Sequence, residues 1–403
     1  MTRTWLTRNV LVLGLVSLLT DASSEMVIPL LPVFLTTVLG ASAMTLGWIE
    51  GLAEATASVL KLLAGRWSDR LGRRRPFLLA GYTLSAAARP LMALAGAPWH
   101  VLAVRMTDRT GKGLRSSPRD ALLAASVARE HHASAFGFHR AMDHAGAVVG
   151  PLLATAALAW WHADLRTVFW LAAIPGVVCV VVLFLGVREA EAPPAPAPTT
   201  TAGSDKHDVL SEARPPGGLV RLLVPLGLFT LGNASDVFLL LKAGESRASL
   251  TTLPLLWVAL HVVKSSSSIV GGQLADRFGR RRLVGAGWVV YALIYAGFAF
   301  AETQLAVWSL FVAYGLYYGL SEGAEKALVA DLAPRAAWGG AFGAYHLTMG
   351  LLSLAASVLF GLLWDAYGSA TAFLTSAALA LAAVVCLAVM APPTTTSDRA
   401  TVP

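Results

Sequence analysis

Charged residues are scarce in this sequence: Asp, Glu, Lys and Arg make up 14% of its 403 residues, where a soluble domain carries roughly 25%. This scarcity excludes an ordinary soluble protein. The apolar residues instead form runs long enough for helices of about 20 residues, the length that crosses a bilayer. The short alternating segments of a membrane β-barrel do not occur. We therefore predict an all-α membrane protein, surrounded by lipid.

Cysteine is also rare. The chain has only Cys179 and Cys386, too few and too far apart for a disulfide framework or a zinc site. His139 and Asp143 share a helical face, but Arg140 beside them argues against a metal cation. Walker, nucleophile-elbow and H-E-x-x-H motifs are missing. We therefore predict that the protein is not an enzyme and needs no cofactor or metal.

The apolar runs predict twelve transmembrane helices. Their expected spans are 10–38, 44–65, 77–96, 98–126, 133–160, 165–187, 219–242, 252–272, 284–302, 305–331, 338–363 and 369–391. A stretch rich in Pro, Thr and charge separates the sixth run from the seventh and predicts a flexible linker. We expect an N-terminal six-helix bundle over 1–188, a cytoplasmic linker over 189–217 and a C-terminal six-helix bundle over 218–403.

Basic residues cluster in alternate connections. Arginines precede the first run and follow the second and the eighth, as in GRRR at 279–282, while connections such as GASAM and AGAPW carry none. Lys and Arg favour the cytoplasmic side. We expect both termini in the cytoplasm and a retained first helix rather than a cleaved signal peptide. We also expect an inner or plasma membrane, and the short loops favour a bacterial one. A nucleic-acid partner is a poor explanation for arginines between two apolar helices.

One motif occurs twice in the chain. GRWSDRLGRRRP begins at Gly65 and GQLADRFGRRRL begins at Gly272, a displacement of 207 residues, and SAFGFHR at 134–140 echoes GAFGAYH at 340–346. The two halves are thus duplicated in the same orientation. Parallel repeats of this kind are related by an axis along the membrane normal, with a substrate pathway between them.

The repeated motif resembles the signature of the major facilitator superfamily. Its matching residues are Gly65, Asp69, Arg70, Gly72 and Arg73, and again Gly272, Asp276, Arg277, Gly279 and Arg280. The resemblance extends over 9–391 and implies secondary active transport by alternating access. Asp and Arg at helix ends can pair in one state and separate in the other, which would make these residues a cytoplasmic gate; alternatively, the arginines only set topology.

A second signature lies in the fifth predicted helix. It consists of Gly137, Gly146, Gly150 and Pro151, in the spacing G-x8-G-x3-G-P. It resembles the antiporter motif of drug and metabolite exporters in the superfamily, although Ala154 and Thr155 replace the usual closing glycines. Small residues let a helix pack tightly or bend, so ordinary helix packing is the other explanation.

The fourth predicted helix carries a charged stripe. Its members are Arg105, Asp108, Arg109, Lys112, Arg115 and Arg119, spaced by three or four residues. They share one helical face over roughly 20 Å. Charge facing lipid would cost about 2.5–3.5 kcal/mol per central residue, so the stripe is expected to face a watery cavity or protein partners. The resemblance places an arginine signature here, which Arg109 interrupts where glycine is usual.

Ionisable residues on other helices complete the predicted substrate or proton pathway. They are Asp21, Glu25, Glu54, His139, Asp143, Asp236, Glu322 and Glu325. In the superfamily the first, fourth, seventh and tenth helices line the cavity, so the resemblance implies that most of these residues converge there. We expect at least one of Asp21, Glu25 and Asp143 to carry a coupling proton. A purely structural network is the alternative.

Residues 105–120 hold five basic and two acidic residues, a net charge of +3. Such a stretch favours an anionic or zwitterionic substrate. We predict a monomeric transporter that exports such a solute, or a drug-like compound, in exchange for protons. Proton-coupled uptake of an organic anion or metal chelate, and a membrane sensor that binds without transport, remain open.

Overall fold

A computed structural model of the chain describes residues 5–41, 43–160, 163–189, 217–245 and 253–390. Throughout these residues the chain forms helices joined by short turns, and this part of the chain contains no strand. Most of the predicted linker, residues 190–216, lies outside the described residues.

The N-terminal half consists of six helices. They are α1 (Arg8–Val38), α2 (Ala43–Leu71), α3 (Arg75–Leu94), α4 (Pro98–Ala125), α5 (His132–Trp160) and α6 (Leu165–Gly186). The first regular α-helical segment of α1 ends at Glu25, and a 3-10 turn, one short α-helical turn and a π turn continue to Val38. Pro29 and Pro32 lie in this irregular part, where each lacks the N–H group that an α-helix requires.

The C-terminal half has six corresponding helices within the described residues. They are α7 (Gly217–Gly232, continued by Val237–Glu245), α8 (Leu253–Phe278), α9 (Arg280–Phe300), α10 (Gln304–Leu332), α11 (Trp338–Tyr367) and α12 (Ser369–Met390). The predicted all-α fold of two pseudo-symmetric six-helix bundles is therefore confirmed.

Seven of the described helices are long and apolar enough to cross a membrane by length and composition alone: α1, α3, α5, α6, α9, α11 and α12. The other five carry ionisable residues at mid-length or, in α7, a break after Gly232. Large apolar side chains such as Phe184, Leu293 and Leu354 are more than half exposed on the outside of the bundle. A lipid-facing surface has this composition.

The arginine motifs lie farther inside helices than the sequence predicted. Helix α2 continues to Leu71 and α8 to Phe278, so Asp69 and Asp276 lie in helical turns. The actual reversals occur at Gly72 and Gly279, whose φ angles of 62° and 97° favour glycine. The predicted boundaries at 65 and 272 were too early because the end of a membrane helix, once outside the hydrocarbon core, need not be apolar.

The two halves contact each other along two related seams. Helix α2 packs against α11, and α5 packs against α8 and α10. Under the repeat, α2 corresponds to α8 and α5 to α11, so these seams exchange under the pseudo-twofold axis. We call the end where α2 turns into α3 and α8 turns into α9 the arginine end, and the other end the opposite end.

Candidate transport pathway

The N-terminal part of the charged stripe on α4, Arg105 and Arg109, pairs with carboxylates of α2. Arg105 donates two hydrogen bonds to Glu50, with Nε–Oε1 and Nη2–Oε2 distances of 2.7 and 2.6 Å. Arg109 lies 3.7 Å from Glu54 through its Nε atom, and Lys61 lies 3.2 Å from the same carboxylate. Glu50 and Glu54 are therefore ion-pair partners and not merely solvated groups.

Two other members of the stripe are enclosed within the N-terminal half. Arg89 of α3 donates to Asp108 across 3.0 Å and to the carbonyl of Thr20 across 2.7 Å. Arg115 donates to Ser85 across 2.6 Å and stacks on the ring of Tyr82, 4.4 Å from its centroid. Of the two expected environments, protein partners rather than the cavity thus surround Asp108 and Arg115, because polar groups of α3 satisfy them.

Three ionisable side chains lack a direct partner. Within the described part of the chain, no hydrogen bond or ion pair within 4.0 Å involves the side chains of Asp21, Glu25 or Lys112. They nevertheless interact electrostatically, Lys112 with both carboxylates. Each lies about 20–25 Å from the arginine end by helical rise. This mid-depth cluster, Asp21, Glu25 and Lys112, is available to a ligand in a way that the paired groups are not.

Helix α5 fits closely behind the two acidic residues of the cluster. A Cβ atom added to Gly146 would lie 2.9 Å from the Cβ of Asp21, and one added to Gly150 would lie 2.7 Å from the Cβ of Glu25. Ordinary contacts are longer than 3.4 Å. These glycines, with Pro151 inside the same helix, therefore set how closely α5 approaches α1.

Asp143 of α5 is held by three neighbours. Its carboxylate accepts a short hydrogen bond from Ser17 and another from Arg140 at 2.8 Å. His139 lies one turn away, with its Nδ1 atom 3.7 Å from Oδ2 of Asp143. Both nitrogens of the His139 ring are buried without a hydrogen-bond partner in the described residues.

Glu322 joins the halves at a similar depth. His144 lies 3.2 Å from its Oε2 atom and Arg140 lies 3.8 Å away, so two side chains of α5 contact one of α10. The structure thus brings Glu322 to the boundary between the halves, as the sequence predicted for the pathway residues.

Asp236 and Glu325 are satisfied inside the C-terminal half. Asp236 pairs with Lys264 at 2.8 Å and accepts a hydrogen bond from Tyr314 at 2.9 Å. Glu325 accepts from the indole of Trp288 at 3.1 Å and from the hydroxyl of Tyr345 at 3.2 Å. Helices α9 and α11 thus supply the donors to Glu325, which also interacts electrostatically with Glu322 and Arg140; its place in the pathway stays a prediction.

Asp120 is a residue that the sequence reasoning missed. It is fully buried and accepts from Lys326 of the other half at 2.8 Å, while His346 lies 2.9 Å from the same oxygen and Arg119 donates to the other oxygen at 2.9 Å. We call the Asp120–Lys326 pair the central bridge. Its partners are 206 residues apart, close to the repeat displacement, so a comparison of equivalent positions could have identified it.

Asp69 holds the first seam at the arginine end. Its carboxylate accepts from the backbone N–H groups of Gly339 at 3.0 Å and Gly340 at 2.6 Å, both at the start of α11. The nearby guanidinium belongs to Arg74, 3.8 Å away. Burial lowers the pKa of Arg74, and Asp69 counteracts this effect.

Arg70 and Arg73 do not hold this seam. Both side chains are exposed, whereas Arg74 donates across the seam to the carbonyl of Arg335 at 3.1 Å. The prediction of Arg70 and Arg73 as gate residues is therefore wrong in this conformation. The chain reverses at Gly72, and only the second residue after that turn points back towards the seam.

The second seam is similar but uses a different arginine. Asp276 accepts from the N–H groups of Ala133 at 3.1 Å and Ser134 at 2.7 Å, at the start of α5. Arg280 pairs with Asp276 at 3.0 Å and also with Asp331. Arg277 is exposed and rests on the ring of Phe278, so it does not hold the seam either.

Glycines permit the close approach at both seams. A Cβ atom at Gly65 would lie 2.1 Å from the carbonyl oxygen of Gly339, and one at Gly272 would lie 2.4 Å from that of Ala133. Gly137 contacts α8 in the same way, 2.3 Å from the carbonyl oxygen of Ser268. The two halves are thus closed against each other at the arginine end.

The described residues contain no group of three or more His, Cys, Asp or Glu side chains that could hold a metal ion. The site instead combines an unpaired mid-depth cluster, a buried bridge between two bundles, and polar seams at one end. Together with the apolar exterior, these features define a multi-pass membrane protein of the transporter class.

The family follows from comparison with known proteins. A family model described as Major Facilitator Superfamily matches residues 13–260 and 222–403. The chain belongs to this superfamily, and the resemblance inferred from the repeated motif is confirmed. Family and fold are those of transporters rather than enzymes.

Three similar proteins illustrate the relationship. An uncharacterized MFS-type transporter of Methanocaldococcus jannaschii is 31% identical over 365 residues, which cover 89% of each chain. The multidrug resistance protein MdtH of Cronobacter sakazakii is 31% identical over 153 residues, 38% of this chain and 37% of that protein. The proton:xylose symporter XylE has a similar fold, with a TM-score of 0.76 at 16% identity over 97% of both chains.

Proposed function

We propose that this protein is a proton-coupled exporter of a small organic solute, moved by alternating access between its two bundles. The solute is anionic, zwitterionic or drug-like. The observation that carries the proposal is the mid-depth cluster: Asp21, Glu25 and Lys112 lie near one another, yet none has an ion-pair or hydrogen-bond partner among the described residues. Charges that are not fully exposed to water are normally paired. These three side chains are only partly exposed, so they favour a ligand or proton as the missing partner.

The chemistry of the cluster supports a solute that carries charge. A carboxylate or phosphate group can bind Lys112, with Arg109 beside it on the same face. An ammonium group can bind between Asp21 and Glu25. A zwitterion engages both parts, and protons on the two carboxylates can replace a departing cation. This competition would couple the solute to the proton gradient.

The direction of transport is argued from the closed seams. If the arginine end is cytoplasmic, as the distribution of Lys and Arg favours, the described conformation is closed on the cytoplasmic side and both termini lie in the cytoplasm. The partial similarity to MdtH, whose name describes multidrug resistance, also supports export. We propose a monomer in an inner or plasma membrane.

Transport in proteoliposomes tests the proposal. Purified protein would first be screened by thermal shift against organic anions, zwitterions and amphiphilic drugs, and the most stabilising compound would then be loaded into vesicles. We expect its efflux to acidify the lumen by exchange for protons. Glu25→Gln and Lys112→Gln should slow efflux at least tenfold, an effect of about 1.4 kcal/mol that one lost charged contact can supply.

The matched control is Glu302→Gln, which neutralises an exposed carboxylate in the turn between α9 and α10. It should transport at the rate of the unmodified protein. If none of the stabilising compounds moves, or if both cluster variants transport as fast as the control, the proposal is wrong. Binding without counterflow would indicate a sensor instead.

A further inference from the structure

His139 lies at the junction of two charge clusters. On one side is Asp143, 3.7 Å from its Nδ1 atom. On the other is the central bridge, and Arg119, Asp120 and Lys326 all act on the imidazole electrostatically. The ring is fully buried, and neither nitrogen has a hydrogen-bond partner in the described residues. An unpaired buried ring of this kind calls for an explanation.

His139 also lies at a depth between Asp143 and the central bridge. By helical rise it is about 10 Å from the arginine end, whereas Asp143 is about 16 Å and Asp120 about 8 Å from that end. Asp21, farther inside, interacts electrostatically with Asp143. The residues Asp21, Asp143 and His139 therefore form a descending series from the mid-depth cluster to the central bridge.

The charged surroundings of His139 can be described helix by helix. The groups that face it or its immediate partners are Arg140 and Asp143 on α5, Asp21 on α1, Arg119 and Asp120 on α4, Lys326 and Glu322 on α10, and His346 on α11. Helix α8 faces this stretch of α5 through Ser265 and Ser268, which are neutral.

Of the two cations at the central bridge, Arg119 and Lys326, only Lys326 belongs to the other half of the molecule. Arg119 lies on α4 and Asp143 on α5, so both remain near His139 when the halves separate. Lys326 lies on α10 and moves with the C-terminal half. A proton on His139 would be repelled by Lys326 while the arginine end is closed, and this repulsion would end when the halves part. Protonation therefore favours separation.

We propose that His139 is the residue through which a transported proton opens the arginine end. The proton arrives from the passage at Oδ2 of Asp143, binds Nδ1 of His139, and leaves to water once the arginine end is open. The added positive charge weakens the Asp120–Lys326 bridge. This inference rests on the proposed function, because it assigns the coupling proton to one residue of that transport cycle.

The conformation of the protein at different pH values tests the inference. Spin labels at Arg73→Cys and Ala336→Cys, two exposed positions on either side of the first seam, would report the distance across it. Cys179 and Cys386 would be replaced by serine. Without substrate, in lipid nanodiscs, acidification from about pH 8 to about pH 5.5 spans the titration of histidine. We expect the ratio of open to closed protein to rise roughly tenfold, a usual size for coupling between sites.

Two substitutions of His139 should distinguish the effect of its positive charge from the effect of replacing its ring. His139→Gln cannot accept the proton, so we expect the closed distance at both pH values. His139→Arg carries a permanent charge, so we expect the open distance at both. His100→Gln is the matched control, since His100 is a half-buried histidine near the start of α4 whose Nδ1 atom accepts a hydrogen bond from the N–H of Gly96, and it should keep the full shift.

The inference is overturned if His139→Gln retains the shift of the unmodified protein, or if the unmodified protein shows no shift. Should His139→Arg fail to fold, the Gln variant alone still decides the question. Failure here is distinguishable from failure of the proposed function, because counterflow of solute at constant pH can persist when the pH-dependent opening is absent.

Discussion

A single methyl group at Gly65 should prevent closure of the arginine end. In the closed arrangement, the Cβ of Gly65→Ala would lie 2.1 Å from the carbonyl oxygen and 2.7 Å from the carbonyl carbon of Gly339. Both are backbone atoms, so no side chain can rotate away. Favourable contacts between heavy atoms are about 3.5–4.0 Å long. Helices α2 and α11 must therefore separate by about 1 Å or more.

The size of the effect follows from the bonds at the same seam. Separation disrupts the hydrogen bonds from Asp69 to the N–H groups of Gly339 and Gly340, now 3.0 and 2.6 Å long. A hydrogen bond to a charged group contributes about 1.5–3 kcal/mol. Loss of both destabilises the closed state by about 3–6 kcal/mol. At about 1.4 kcal/mol per tenfold change, the ratio of open to closed protein should rise by about 10²–10⁴.

The label pair Arg73→Cys and Ala336→Cys can measure this ratio. Gly51→Ala is the control on the same helix, because a Cβ atom at Gly51 has no neighbour within 4 Å. We expect the open distance in Gly65→Ala and the distribution of the unmodified protein in Gly51→Ala. If Gly65→Ala shows the same closed distance as the control, the account of the seam is refuted.

Two further substitutions test the gate. Arg74→Gln should raise the open fraction about fivefold, because it removes the hydrogen bond to Arg335 across the seam. Arg70→Gln, measured with the same label pair, in which Arg73 is already replaced by cysteine, should leave the distance distribution unchanged; the opposite ranking would contradict the assignment. Asp276→Asn should raise the open fraction at least tenfold, because the carboxylate of Asp276 accepts hydrogen bonds from two backbone N–H groups of α5. An unchanged distance across the second seam would exclude a role for Asp276 in holding it closed.

The fold was predictable because its signals are local and repeated. Long apolar runs identify helices that face lipid, and the displacement of 207 residues between the Gly65 and Gly272 motifs identifies two halves. Even the weakly apolar α4 could be placed, since the charged loops must remain on one side. The helix ends were less predictable, because α2 and α8 continue past the hydrocarbon boundary, where composition no longer constrains them.

The partners of the charged residues were only partly predictable. Helical spacing placed Arg105, Asp108 and Arg115 on one face, but this face of α4 contacts both α2 and α3. Which neighbour satisfies each group depends on three-dimensional packing. Arg89 satisfies Asp108, and its place before Pro90 near the end of an apolar run gave no hint of this role.

The motif arginines illustrate the same limit. The repeat equates Arg73 with Arg280, yet Arg74 and Arg280 are the residues that contact the seams. A shift of one residue after a glycine turn reverses the direction of a side chain, and sequence alignment cannot detect it. Asp120 was missed for a different reason: its partner Lys326 is distant in sequence and becomes evident only when equivalent positions of the two halves are compared.

The most direct test of the account is whether water reaches the mid-depth cluster. A single cysteine at Glu25, in a background without Cys179 and Cys386, would be exposed to a membrane-impermeant thiol reagent in sealed vesicles. The control is a cysteine at Leu15, which is 40% exposed on the outside of α1 and should face lipid. We predict rapid labelling at position 25, from the side opposite the arginine end, and little labelling at position 15. Equal labelling of the two positions would contradict a hydrated passage between the halves.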